Sequence, residues 1–294
     1  MALRRPIRRV AAPSPSASTS HGLPPVVRPV RVLGLDFPNP LGLAAGFDRT
    51  GRLLPTLASL GFGHVEVGTI TRGTSNMMLP SAAAPRLLVG VNIGSPRRGI
   101  DDKVIDDYVA AFERVWGRAD YVAANLSSPF LARGGDTPGV DALVDRLSEL
   151  WGIRCAETGR SVPLLVKVAC GAPGTPLPAA IAAIRRHNLS GVVLVSSSLT
   201  QIAAVCNYLE GAAVISVGGV TSGADVESRL AAGAMLVQIY TALVRDGPSS
   251  PKRILAALQT AQARGLSPSA SAAYADIPAL PSTNSRLGVV PRSK

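Results

Sequence analysis

The run Val122-Ala-Ala-Asn125-Leu-Ser127-Ser128-Pro129 puts an amide and two hydroxyls where a short apolar segment ends in a loop. A hydroxyl at Ser128 can serve as a general base if a neighbouring network carries its proton away; serine before proline is also ordinary turn chemistry. Leu164-Leu-Val-Lys167 ends the same way, with an ammonium inside an apolar run. Burying that charge unpaired is expensive, so Lys167 is expected to reach an anion or a polar cofactor edge, the alternative being a stem that snorkels to solvent. Two later segments end in Val217-Gly218-Gly219 and Ile239-Tyr240-Thr241. Glycines let a backbone approach an anion closely, so these two ends together suggest a phosphate-bearing cofactor, or else plain tight turns.

Four polar strand ends in register point to one site, and the α/β barrel presents catalytic residues in this way. The spacing predicts eight strands near Gly42–Ala45, His64–Gly68, Val89–Ile93, Tyr121–Asn125, Leu164–Val168, Gly191–Val195, Val214–Val217 and Met235–Ile239. Helical patterns fall at Leu53–Leu60, Asp102–Trp116, Val140–Thr158, Ala179–His187, Ala224–Ala231 and Pro251–Ala263. Two connections are thin. Thr71–Arg86 carries no convincing helix, and Leu199–Gly211 has room for about three turns. Parallel strands with right-handed crossovers make this a single (β/α)8 barrel, residues 30–264, with disordered tails at 1–29 and 265–294.

Composition fits that layering. Of 294 residues 47% are hydrophobic but only 4% aromatic, so strands and helices must pack through Ala, Val, Leu and Ile. The net charge of +11 does not signal a nucleic-acid groove. Residues 1–31 hold six arginines and no acid, and Arg286, Arg292 and Lys294 stand against Asp276 near the other end, leaving the middle nearly balanced. Cys155, Cys170 and Cys206 are widely spaced, with no metal-ligand pattern, and read as reduced thiols of a cytoplasmic protein. No apolar run reaches the roughly 18 residues of a membrane span. The expected partner is a small-molecule substrate, without nucleic acid, metal or stable membrane insertion, and a homodimer is one assembly open to such a barrel.

The same residues resemble the dihydroorotate dehydrogenase family, class 2. The likeness begins at Val32-Leu-Gly-Leu-Asp-Phe-Pro-Asn-Pro-Leu-Gly-Leu-Ala-Ala-Gly-Phe-Asp48 and Gly61-Phe-Gly-His-Val-Glu-Val-Gly-Thr69. It resumes at Val91-Asn92-Ile-Gly, Asn125-Leu-Ser-Ser-Pro129, Val166-Lys167, Val217-Gly-Gly-Val220 and Ala232-Gly-Ala-Met-Leu-Val-Gln-Ile-Tyr240. The resemblance implies FMN, held by Ala45, Gly46, Thr69, Asn92, Asn125, Lys167, Gly218, Gly219, Tyr240 and Thr241. It gives Ser128 the role of catalytic base and Lys167 that of stabilising charge on the reduced flavin.

Departures from the family pattern cluster on the substrate side. Arg49 stands where the family has lysine, Phe130 where it has asparagine, and Val195-Ser196 where it has Thr-Asn. The loop that holds the orotate carboxylate and ring in the family is absent, since Pro85-Arg-Leu-Leu-Val-Gly90 runs straight into strand three. A second Gly-rich segment, between strands six and seven, is missing too. Losing several groups that pair with a polar pyrimidine should cost orders of magnitude in its binding. The expectation is an FMN-dependent oxidoreductase acting on CH–CH bonds, with Arg49, Asn125, Phe130, Ser196 and Ser197 around a substrate larger or less polar than dihydroorotate. A non-redox cyclase or isomerase in the same pocket, and a catalytically silent binding barrel, are the alternatives. Met1–Pro29 is Pro- and Ser-rich rather than the helical extension through which class 2 enzymes admit quinone, which argues against quinone as acceptor.

Overall fold

A computed structural model describes residues 27–79, 87–128, 131 and 137–263. Most of both expected tails, and Phe130, lie outside the described residues; Val27, within the expected first tail, is buried in the core. Eight parallel strands close into a barrel in the order of the chain. They are β3 (Leu41–Leu43), β4 (His64–Ile70), β5 (Leu88–Ile93), β6 (Tyr121–Asn125), β7 (Leu164–Ala169), β8 (Gly191–Val195), β9 (Ala213–Val217) and β10 (Leu236–Ile239). Closure comes from β10 against β3, with Val237 opposite Leu41 and Ile239 opposite Leu43.

Each strand is covered on both sides, which is why its sequence reads as an apolar run. Side chains pointing outward, such as Val65, Val91, Val122, Val166 and Val192, join the helices in one large core. Those pointing inward, such as Tyr121, Ala123, Leu165, Val193 and Ile215, form a second and smaller one. Fully burying a Val or Leu contributes about 1.5–3 kcal/mol, so the outer layer supplies most of the apolar stabilisation.

The helices are α1 (Leu54–Ala58), α2 (Asp102–Val115), α3 (Thr137–Thr158), α4 (Ala179–Arg186), α5 (Leu199–Leu209), α6 (Gly223–Ala231), α7 (Thr241–Asp246) and α8 (Ser250–Ala263). Side-chain caps set the starts of three of them. Asp101 accepts from Val104 N at 2.9 Å, Ser198 caps α5, and Ser222 and Asp225 form a reciprocal capping box on α6. Among the described residues of the β4–β5 connection there is no helix; instead the Arg114 guanidinium, from α2, holds the carbonyls of Arg72 and Thr74.

Two elements are absent from the sequence expectations. An antiparallel hairpin, β1 (Val30–Val32) and β2 (Leu35–Phe37), turns at Leu33 and Gly34, both at positive φ. It plugs the amino end of the barrel with Phe37, whose ring meets the edge of His64 at 5.4 Å. The second is the six-residue α7, directly after β10. Neither shows an apolar period in the sequence: β1 and β2 each bury a single position, and α7 spans under two turns directly after an apolar strand.

Candidate active site

Every expected flavin-contact residue lies at the carboxyl end of a strand or in the turn that follows it: Ala45 and Gly46 after β3, Thr69 in β4, Asn92 in β5, Asn125 in β6, Lys167 in β7, Gly218 and Gly219 after β9, and Tyr240 and Thr241 after β10. Register sets these neighbours, with Gly68 opposite Asn92 and Asn125 opposite Lys167.

Hydrogen bonds fix the two amides. Thr69 Oγ1 donates to Asn92 Oδ1 at 2.9 Å, and Ser127 Oγ and N donate to Asn125 Oδ1 at 2.7 and 3.0 Å. Asn92 is wholly buried, yet its Nδ2 has no partner. A buried orphan donor costs about 1–3 kcal/mol, a cost that an acceptor reaching Asn92 would offset. Gly46 has φ 106°, and a Cβ there would meet only the Tyr240 ring, at 3.5 Å, so the turn leaves room for a ligand.

Beneath this mouth the barrel interior holds a polar network that the sequence reading did not foresee. Lys167 Nζ lies 3.2 Å from Glu66 Oε2, with both side chains buried. Gln238 Nε2 donates to Glu66 Oε1 at 2.9 Å, and the Tyr121 hydroxyl donates to the same oxygen at 3.3 Å. Lys167 therefore has its counter-charge within the fold. An ammonium has three donors, and Glu66 occupies one. The signal existed in the sequence: Glu66 interrupts an apolar strand as Lys167 does, and the same burial argument applies to it.

His64 lies below Glu66, fully buried, with Nε2 3.4 Å from Gln238 Nε2. Burial lowers its pKa from 6.5 to about 4, against the opposing pull of Glu66. It is neutral at physiological pH. The unfolded chain binds a proton at this residue near 6.5 and the folded chain only near 4. Stability should therefore be full above about 6.5, fall by roughly 3 kcal/mol as the pH drops to about 4, and stay level below that as far as His64 is concerned. Urea titrations between pH 7 and 4 should show a shallower loss in His64→Asn, and an unchanged slope would refute the assignment.

The substrate-side residues are less gathered. Arg49 and Ser197 are exposed. Ser196 is buried, and its hydroxyl donates to Gln201 Oε1 at 2.8 Å, tying β8 to α5 rather than facing open space. Gln201 in turn donates to Gly171 O and Ala172 O. Ser128 is half-buried, and its carbonyl accepts from Leu131 N at 3.0 Å. Cys170 is half-buried, and burial raises its thiol pKa, which disfavours the reactive thiolate. Beside the mouth runs an apolar groove of about 260 Å³, lined by Phe47, Leu53, Leu57, Leu60, Leu243 and Pro248 with Thr56. The Phe47 and Tyr240 rings meet edge to face, with centroids 6.5 Å apart, so the groove adjoins the turn after β10.

A family profile described as dihydroorotate dehydrogenase matches residues 28–88 and 179–261. The dihydroorotate dehydrogenase (quinone) of Alkalilimnicola ehrlichii is 33% identical, over 81% of this chain and 87% of that protein. The enzyme of the same name from Flavobacterium lutescens is 31% identical, over 76% and 82%. Among solved structures, the dihydroorotate dehydrogenase of Eimeria tenella in complex with ferulenol superposes with a TM-score of 0.69 at 21% identity, covering 85% of this chain and 88% of that one. Its ligand-free form gives 0.68 at the same identity. No described helix is long and apolar enough to cross a membrane. With identity above 30% over most of both chains, the chain belongs to the dihydroorotate dehydrogenase family, among its class 2, quinone-type members.

Proposed function

We propose that this protein is an FMN-dependent oxidoreductase acting on a CH–CH bond, with a substrate larger or less polar than dihydroorotate. The observation that carries the flavin reading is Asn92: a buried amide with one half fixed by Thr69 and the other unpartnered, at the end of the strand beside Gly68 and Thr69. The donor set fits FMN. Asn92, Asn125 and Lys167 offer donors to the polar edge of a planar ring, and the glycine turn after β9 offers backbone approach to a phosphate.

When bound, FMN supplies a two-electron acceptor for hydride. The chain supplies the rest. Lys167, fixed by Glu66, would help to hold the flavin and would stabilise negative charge developing on it. Ser128 stands on the loop after β6 as the group to take the proton. Asn125, its carbonyl oxygen held by Ser127 and its Nδ2 donating to Thr69 Oγ1 at 3.4 Å, keeps a second amide hydrogen for a ligand.

Three features support a less polar substrate: the Ser196 hydroxyl is committed to Gln201, Phe130 stands where the family has asparagine, and the adjoining groove is apolar. The groove also suits an apolar electron acceptor, in line with the quinone in the relatives' names, and this favours quinone-type acceptors more than the tail sequence did.

Purified protein should carry, or take up, one equivalent of FMN, seen by absorbance and by mass after denaturation. Lys167→Met should slow substrate-dependent bleaching by about a hundredfold, the scale for losing one preorganised stabilising charge. A colourless protein that ignores added FMN would overturn the reading. Orotate formation with a dye acceptor would overturn only the substrate half of it.

A further inference from the structure

Arg229 is buried on α6, at 4% exposure, between that helix and the outer face of β9. Its Nη1 donates to Ser196 O at 2.9 Å and to Ser216 Oγ at 2.7 Å, and its Nη2 donates to Gly218 O. All three acceptors are neutral. One directly follows β8, one lies on β9, and one opens the glycine turn. A Cβ placed on Gly219 would stand 3.8 Å from Arg229 Nη2, so the guanidinium backs directly onto the turn.

Such a placement is costly. Burial pulls the Arg229 pKa down, and Asp225 opposes that shift. Asp225 is otherwise committed: its Oδ2 accepts from Thr221 N at 2.8 Å, Thr221 Oγ1 at 3.0 Å and Ser222 N at 2.9 Å. Holding the glycine turn alone would need only a neutral donor, and the surrounding helix–strand layer is filled by apolar side chains such as Val214 and Val226. A full buried charge facing neutral oxygens makes physical sense if an anion completes it. Gly218 and Gly219, at φ 112° and 71°, carry no side chain to keep that anion away.

We propose that Arg229 is a positioning residue that sets a fixed positive charge one peptide behind the Gly218–Gly219 turn, so that this turn selects a phosphate-bearing flavin over its uncharged counterpart. The proposal rests on the FMN reading above. It assigns to this chain a side-chain source of anion selectivity that acts through the backbone rather than by contact.

The test titrates FMN and riboflavin into flavin-free full-length protein, as wild type, Arg229→Gln, Arg229→Met and Arg229→Lys. Both neutral variants are made so that one folded protein is in hand, checked by circular dichroism. A neutral side chain should weaken FMN binding by roughly ten- to hundredfold, as expected for one charge acting at partly screened range, and leave riboflavin binding unchanged. Arg229→Lys should recover most of the loss. An unchanged FMN-to-riboflavin ratio overturns the proposal, whether both affinities hold or both fall together; the latter would mark Arg229 as a structural strut. If the wild type binds neither flavin, the FMN reading fails and inorganic phosphate decides the Arg229 assignment. Thermal stabilisation of the wild type by phosphate, lost in the neutral variants, sustains the anion site; no stabilisation of the wild type overturns it.

Discussion

Glu66→Ala should destabilise the protein by about 3–5 kcal/mol, because it leaves the Lys167 ammonium buried with no counter-charge. Glu66 is wholly inaccessible, and its two oxygens bind Lys167, Gln238 and Tyr121 together. The cost is one of removing a single partner, not the net worth of the pair, which desolvation largely cancels. Two companions separate these quantities. Lys167→Met with Glu66→Gln should recover much of the loss, since neither charge remains and the glutamine can still engage Gln238 and Tyr121. Glu66→Gln alone should fall between, keeping hydrogen bonds while stranding the ammonium. Denaturant unfolding followed by fluorescence and circular dichroism reads all three. A Glu66→Ala penalty below about 1 kcal/mol would mean that water or an ion already satisfies Lys167.

This network marks where sequence reading stopped. The strands were legible because β3 to β10 are covered on both faces and so appear as short β-branched runs such as Gly191–Val195 and Ala213–Val217. Most helices were legible from apolar positions recurring at three and four, as over Asp102–Val115 and Ala179–Arg186. The polar residues of the barrel mouth were legible because each ends or follows such a run. The partners of Lys167 were not, because pairing inside a barrel depends on which side chains share a layer across the axis. Glu66 is 101 residues from Lys167 and 172 from Gln238, and only closure of β10 on β3 brings them together. Local pattern carries no information about that register. Arg229 is illegible for a related reason: at an ordinary helical position its charge reads as solvated, and only its folded contacts with Ser196, Ser216 and Gly218 show that it faces inward.

The interior also dictates glycines, and Gly90→Ala should be among the most damaging small substitutions in the barrel, beside Gly191→Ala, whose Cβ would fall 2.1 Å from the Ala213 carbonyl oxygen. A Cβ at Gly90 would fall 2.1 Å from Tyr121 Cζ and 2.4 Å from Cε2. That ring cannot step aside, since it is fully buried, packs near His64 with centroids 6.3 Å apart, and has its hydroxyl on Glu66. Overpacking commonly costs 1–3 kcal/mol, and a contact this close against an anchored ring should exceed about 3 kcal/mol. Gly42 meets His64 in the same way, at 2.2 Å from Nε2, so small and large residues alternate between neighbouring strands to fill one layer. Gly152 is the control: it lies exposed within α3, with open space around a Cβ, and alanine there should stabilise by up to about 1 kcal/mol. Adding Tyr121→Val to Gly90→Ala should restore part of the loss by making room, though it removes a donor from Glu66. If Gly90→Ala unfolds at the same denaturant concentration as wild type, Tyr121 does not occupy that layer, and the network that holds Lys167 would have to be drawn again.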